Sequence, residues 1–175
     1  MVTEIPRLVI AGLSGDSGKT VVSLSLLSAL RQKGLTVSTF KKGPDYIDAA
    51  WLTALSQSPC RNLDTYLVSP DDVQRTFATN AERSDVALVE GNRGVFDGRD
   101  ESGTNSTAEL AKLLGAPVVL VVNATKTTRT VAALVKGCID FDPGVTIAGV
   151  VLNRVAGDRH DRILRKTITR YCGVP

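Results

Sequence analysis

An α/β fold, with a mainly parallel sheet between helices on both faces, is what three observations in the sequence predict. Short apolar, β-branched runs recur along the chain, segments of helical period separate them, and a glycine-rich turn joins the first run to the first helical segment. The runs are 7–12 (RLVIAG), 35–40 (LTVSTF), 86–90 (VALVE), 117–123 (PVVLVVN) and 146–153 (TIAGVVLN). Most lack polar alternation, as strands buried on both faces do. The helical segments run over about 18–33, 47–56, 70–80, 106–114, 127–138 and 158–171. No repeat, low-complexity tract or long linker interrupts them, so one domain over 1–175 is expected.

Composition narrows the function classes. With 43% hydrophobic and 22% charged residues, the chain has the balance of a globular protein and not of a disordered one. Its longest apolar run, 116–122, is about seven residues where a membrane helix needs about twenty, and the N-terminus lacks an export signal, so the chain reads as cytoplasmic. The 21 basic and 18 acidic residues leave a net charge of +3, and the basic ones are scattered. An anionic small ligand therefore fits better than a nucleic-acid groove. Three cysteines without Cys-x-x-Cys spacing and a single histidine, His160, argue against a disulfide framework or a structural zinc site. His160, between Asp158 and Asp161, reads as part of a solvated helix start.

The strongest local signal is Gly12-Leu13-Ser14-Gly15-Asp16-Ser17-Gly18-Lys19-Thr20, after a predicted strand and opening a predicted helix. Such a turn cradles phosphate: backbone N–H groups and the helix dipole meet the anion, and a lysine neutralises its outer oxygens. Gly15, Asp16, Ser17, Gly18, Lys19, Thr20 and Val21 are the expected nucleotide-binding residues, with the Thr20 hydroxyl on Mg²⁺. The strict pattern fails by one position, because Leu13 stands where the first glycine is expected and Gly12 lies one residue earlier. A phosphate loop in this setting predicts a P-loop NTPase-like three-layer sandwich.

Three further groups fall at the same predicted sheet edge, where ligands bind in parallel α/β folds. Lys41-Lys42-Gly43-Pro44-Asp45-Tyr46-Ile47-Asp48 follows the second strand. Asp45 and Asp48 could hold Mg²⁺ or a substrate group, and Lys41 could offset charge on a transferring phosphoryl group; the alternative is turn and cap chemistry. Glu90 terminates the third predicted strand, poised as a metal ligand, and is followed by glycines 91, 94 and 98. Asn153, ending the last strand, could read one edge of a purine.

In order and spacing, GLSGDSGKT, FKKGPDYID, SPCRNLDTYL, VEGNRGVFDG, STAELAKLLGAPVVLVVNA and IAGVVLNRV together resemble the cobyrinic acid a,c-diamide synthases. The resemblance covers nearly the whole chain and is most specific at GPDYID. It implies the N-terminal ATP-binding synthetase domain of an amidotransferase of cobalamin biosynthesis, with a dethiobiotin-synthetase-like P-loop fold. Such an enzyme activates the a and c acetate carboxylates of the macrocycle as acyl phosphates, which ammonia from a C-terminal glutaminase domain then attacks. Nothing in these 175 residues marks that glutaminase domain, and the Cys172-Gly173-Val174-Pro175 end reads as a helix stop leading into another strand. The expectation is therefore a C-terminally truncated piece, inactive as an amidotransferase by itself.

Carried over residue by residue, the resemblance assigns Lys19, Lys41, Asp45 and Asp48 to catalysis, and Thr20, Asp48 and Glu90 to the metal. It assigns Tyr46, Ile47 and Asp97 to the tetrapyrrole, with Asp64 a further metal candidate not separable from Asp48. A homodimer is left open; no nucleic-acid or membrane partner is implied. Four residues depart from the family pattern: Asp16 in the loop, the Asn92-Arg93 pair and Asn123. They leave open a metallo-sirohydrochlorin as substrate. The rival readings are a dethiobiotin-synthetase-like ligase, which lacks GPDYID, and a partition-type ATPase switch, which carries an early loop lysine absent from Leu13-Ser14-Gly15.

Overall fold

Six strands and six helices alternate along the computed structural model, which describes residues 5–175. The strands are β1 (Arg7–Gly12), β2 (Val37–Lys42), β3 (Arg61–Leu63), β4 (Val86–Gly94), β5 (Val118–Asn123) and β6 (Ile147–Asn153). The helices are α1 (Lys19–Gln32), α2 (Ile47–Ser56), α3 (Pro70–Ala81), α4 (Thr107–Leu114), α5 (Arg129–Phe141) and α6 (Asp158–Cys172). One sheet of order β3-β2-β4-β1-β5-β6 holds all six strands, and every pairing is parallel.

Alternate side chains of each strand enter opposite cores, as the pleat requires. Val9, Phe40, Val89, Leu120 and Val122 pack with Val73, Phe77, Leu110, Val135 and Leu164 of α3 to α6. Ile10, Leu88 and Val121 pack on the other face with Leu27 of α1 and Leu52 of α2. The handedness of parallel crossovers explains the division. The chain steps one way across the sheet from β1 to β2 and β3, placing α1 and α2 on one face. It steps the opposite way thereafter, placing the later helices on the other. The reversal opens a crevice at the C-terminal ends of β1 and β4, where ligands bind in such sheets.

Helix starts carry local signals. Ser69 accepts a hydrogen bond from the Asp72 N–H, with Pro70 in the first helical position, and Ser106 accepts from the Glu109 N–H.

The sequence predicted five strands, and the structure has a sixth, β3. Its three residues RNL include two exposed polar ones, so it carries no hydrophobic signal; register with Phe40, Lys41 and Lys42 of β2 makes it a strand. The second strand lies two residues later than 35–40 because the ladder continues through Lys41 and Lys42. Glu90 does not terminate its strand. β4 runs on to Gly94, and Glu90 sits within the sheet opposite Ile10 and Lys41. Among the described residues, no helix is long and apolar enough to cross a membrane.

Candidate active site

The loop between β1 and α1 closes on itself at Gly12. A Cβ there would stand 2.2 Å from Ser17 Oγ and 2.9 Å from the Ser14 carbonyl oxygen, so the displaced glycine still answers a steric need. At the other end Gly18 adopts φ +96°, and a Cβ would meet Asn153 Nδ2 at 2.1 Å. Lys19 opens α1 and folds back, donating to the Ser14 carbonyl at 3.0 Å and the Arg93 carbonyl at 2.8 Å. The ammonium has three N–H donors, so one is left for a phosphate oxygen. Burial lowers the Lys19 pKa, reinforced by nearby Lys41 and opposed by Glu90, Asp16 and Asp48.

Beside it lies a buried charge cluster. Lys41 Nζ donates to Asp48 Oδ2 at 2.8 Å, Glu90 Oε1 at 3.0 Å and the Gly91 carbonyl at 3.1 Å. Asp45 Oδ2 lies 3.7 Å from the same ammonium. Burial alone would lower the Lys41 pKa, but Glu90 and Asp48 together raise it, so it stays charged. Burial would raise the Asp48 carboxyl, yet its hydrogen bond from Lys41 and that charge hold it below its ordinary value. The other oxygen of Asp45 accepts from the N–H groups of Ile47 and Asp48, so this carboxylate both starts α2 and faces Lys41. The carboxylate that bonds the first turn of α2, one residue ahead of the N-cap Tyr46, is also a charge partner of Lys41.

Thr20 Oγ1 donates to Glu90 Oε1 at 2.9 Å. That is about the separation of adjacent oxygens in a magnesium octahedron with 2.0–2.1 Å bonds. Glu90 is 1% exposed, and its Oε2 is buried without a hydrogen-bond partner. An orphaned buried carboxylate oxygen calls for a cation or donor from outside. Among the described residues no three His, Cys, Asp or Glu side chains form a metal site of their own. Magnesium in nucleotide sites fits this, taking one or two protein oxygens with phosphates and water completing the shell.

Gly15, Asp16, Gly18, Lys19, Thr20, Val21, Lys41, Asp48 and Glu90 come together on one cleft of about 590 Å³, joined by Asn92, Arg93 and Arg154. Ser17 is buried beneath the loop. Asn153 sits behind it: Nδ2 donates to the Ser17 carbonyl at 2.9 Å and Oδ1 accepts from the Arg154 N–H at 2.8 Å. Tyr46 and Ile47 stand exposed at the start of α2. Asp97 accepts from the Gly94 N–H at 2.8 Å and lines a second cavity. Asp64 is separated from Asp48: it accepts from the Tyr66 N–H, and its charge acts on Lys42.

Two contacts escaped the sequence. The Arg93 carbonyl on Lys19 is a backbone contact, invisible to residue-type reasoning. His160 lies in the first turn of α6, as expected, but is not solvated. It is half-buried, its Nδ1 accepts from the Ala156 N–H at 3.1 Å, and its Nε2 therefore donates to the Thr127 carbonyl, tying together the loops after β5 and β6. Cys60 is protonated at neutral pH, since burial pushes its thiol up to about 11.

A strand, a glycine-bounded turn and a helix that opens on a lysine and a threonine, facing an acidic residue of the adjacent strand, make a P-loop nucleotide-binding domain. The fold alone is shared with chloroplast FtsY from Physcomitrella patens, at a TM-score of 0.64 and 17% identity over 99% of this chain and 57% of that one. The chain belongs to the family described as the CobQ/CobB/MinD/ParA nucleotide binding domain, which matches residues 8–175. Among curated relatives, the cobyrinate a,c-diamide synthase of Magnetococcus marinus is 46% identical over 98% of this chain and 37% of its own length. That of Syntrophotalea carbinolica is 51% identical over 89% and 34%. The hydrogenobyrinate a,c-diamide synthase of Streptomyces coelicolor is 49% identical over 99% and 36%. The chain thus spans little more than a third of these relatives' length.

Proposed function

We propose that this chain is the ATP-binding part of an enzyme that amidates the a and c acetate side chains of cobyrinic acid in cobalamin biosynthesis, in the cytoplasm. Acyl phosphates are the intermediates, and glutamine supplies the ammonia through another part of the parent protein. The observation that carries the chemistry is the buried Lys41–Glu90 pair, with half-buried Asp48 bonded to it, set against Lys19 and Thr20 in one cleft. The relatives' names supply the substrate class.

A carboxylate is a poor electrophile because its oxygen leaves badly, and phosphorylation makes that oxygen a good leaving group. The site must then bring two anions together. Lys19 directs its remaining N–H to the outer phosphates, and the loop N–H groups meet the rest. Lys41, kept charged by Glu90 and Asp48, lies where it can offset charge on the transferring phosphoryl oxygens. Thr20 and Glu90, with Asp48 beside them, would hold Mg²⁺, which when bound neutralises phosphate charge. Asp45 fixes the first turn of α2, so that Tyr46 and Ile47 present apolar surface to the macrocycle, with Asp97 across the loop.

Asn153 acts in this scheme as a clamp on the loop. Asn153→Ala is expected to raise the Kd of ATP and of GTP alike, by roughly fivefold for the loss of about 1 kcal/mol. A changed ATP-to-GTP preference in calorimetry would make it a base reader instead.

A second substrate is favoured by the Streptomyces relative, whose name specifies hydrogenobyrinate. The deciding experiment offers the full-length protein cobyrinic acid or hydrogenobyrinic acid with ATP, Mg²⁺ and glutamine, and follows mass gain. Two amides gained per two ATP consumed establishes the reaction, and the faster acceptor fixes the metal state. Activity only with a metallo-sirohydrochlorin or a small diamino acid would replace the substrate, and ATP hydrolysis without any amidation would overturn the proposal.

A further inference from the structure

We propose that Arg93 receives the acceptor's carboxylate and presents it to the γ-phosphoryl group. The inference rests on the function proposed above and adds a positioning residue at the same site.

Arg93 lines both the nucleotide cleft and the second cavity, of about 550 Å³, whose wall includes the Phe96–Phe141 ring pair at 4.8 Å. Among the described residues it is the one that lines both, so its side chain can reach a carboxylate at the edge of either cavity. Its backbone is left-handed there, with φ +49°, a strained conformation for a non-glycine residue, and its carbonyl accepts from Lys19 Nζ at 2.8 Å. Lysine and guanidinium are thereby tied to one residue of β4. The side chain is exposed, and among the described residues no hydrogen bond or ion pair engages its guanidinium.

Charge makes the assignment selective. Arg93 is the only cation among the described residues that line the second cavity, against Asp97, Asp100, Glu101, Glu109 and Asp142. Asp97 and Asp100 are turned into loop N–H groups, and Lys112 pairs with Glu109 and Asp142. An incoming carboxylate is repelled along that wall and meets one fork of N–H donors, at its nucleotide end. From there one carboxylate oxygen attacks the γ phosphorus. The bond from that phosphorus to the β–γ bridging oxygen breaks, and ADP leaves with the bonding pair. The acyl phosphate forms without proton or redox change, its negative charge still against the guanidinium.

The test compares wild type, Arg93→Ala, Arg93→Lys and Arg93→Gly in the full-length protein with cobyrinic acid as acceptor. Glycine removes the guanidinium and relieves the left-handed backbone, so that variant keeps the loop. The expected result is a roughly 10- to 100-fold rise in acceptor KM for the alanine and glycine variants, with ATP KM within about twofold. Lysine restores only part of the loss, and guanidinium ion in solution lowers the acceptor KM of Arg93→Gly. An unchanged acceptor KM, or a parallel rise in both KM values without guanidinium rescue, overturns the role of Arg93 while the amidation of the wild type stands. A wild type that amidates neither corrinoid overturns the function itself, and this inference with it.

Discussion

Lys19→Ala is expected to abolish acyl-phosphate formation in the full-length protein, with kcat/KM for ATP down by roughly a thousandfold or more. Two losses coincide at this position. One is the ammonium that would lie against the outer phosphates. The other is mechanical, because the same nitrogen braces the loop at Ser14 against β4 at Arg93. Burial already lowers the Lys19 pKa, so the folded protein holds this charge at a cost that anionic phosphate relieves. Removing it should therefore leave stability nearly unchanged or slightly raised without nucleotide, and remove the stabilisation that ATP confers. The check is Tm with and without saturating ATP, alongside single-turnover ATP consumption. Amidation retained in the variant would take the phosphate loop out of the mechanism.

Glu90→Gln should reduce kcat by roughly 100- to 1000-fold and shift the Mg²⁺ dependence to higher concentration. The substitution keeps the shape and an oxygen acceptor for Thr20 and Lys41, while removing the charge whose second oxygen is buried and unpartnered. It also tests the electrostatics of the fold. Lys41 is raised above the ordinary lysine value of 10.5 by Glu90 and Asp48, so its stabilisation is complete below that value and is lost as pH rises through the still higher folded value. Deleting one of its two hydrogen-bonded carboxylate partners, with Asp45 farther off at 3.7 Å, should bring alkaline unfolding to lower pH. Asp48 works in the opposite direction. Its folded pKa is depressed, so its contribution is present above the ordinary carboxylate value and vanishes as pH falls through the folded one. Pairing between Asp48 and Lys41 survives the substitution, so the acid limb should move much less than the alkaline one. Normal turnover with normal Mg²⁺ dependence would remove Glu90 from the metal.

Elements with strong periodicity were legible in advance. α2 has the bounds the sequence predicts, and the other five helices differ by one to three residues at an end. The larger strand errors, in β2 and β4, come from charge inside the sheet, whereas β5 and β6 simply begin one residue later than predicted, after Pro117 and Thr146. Lys41 and Lys42 belong to β2, and β4 continues past Glu90, although these side chains are ionisable, because neighbouring backbones complete the ladders and Lys41 and Glu90 pair with each other. β3 was hidden for a related reason, since its pairing with β2 and not its own composition makes it a strand. Within the site, residue types at the ends of apolar runs pointed to the cleft, but not to their partners. Nothing local distinguishes Asp48, bonded to Lys41, from Asp64, sixteen residues on and turned to a loop N–H.

Local sequence sets the alternation of strands and helices, the phosphate loop with Lys19 and Thr20, and the edge of the sheet at which charged residues collect. These depend on neighbours a few positions apart, through side-chain period, glycine freedom and helix capping. Long-range packing alone leaves one Glu90 oxygen unpartnered, sets Asn153 behind the loop, joins two loops through His160 and puts Arg93 on the walls of two cavities. Each of those relations joins residues far apart in the chain. Parallel pairing brings them side by side through backbone hydrogen bonds that every residue but proline can make, and so no residue type announces them.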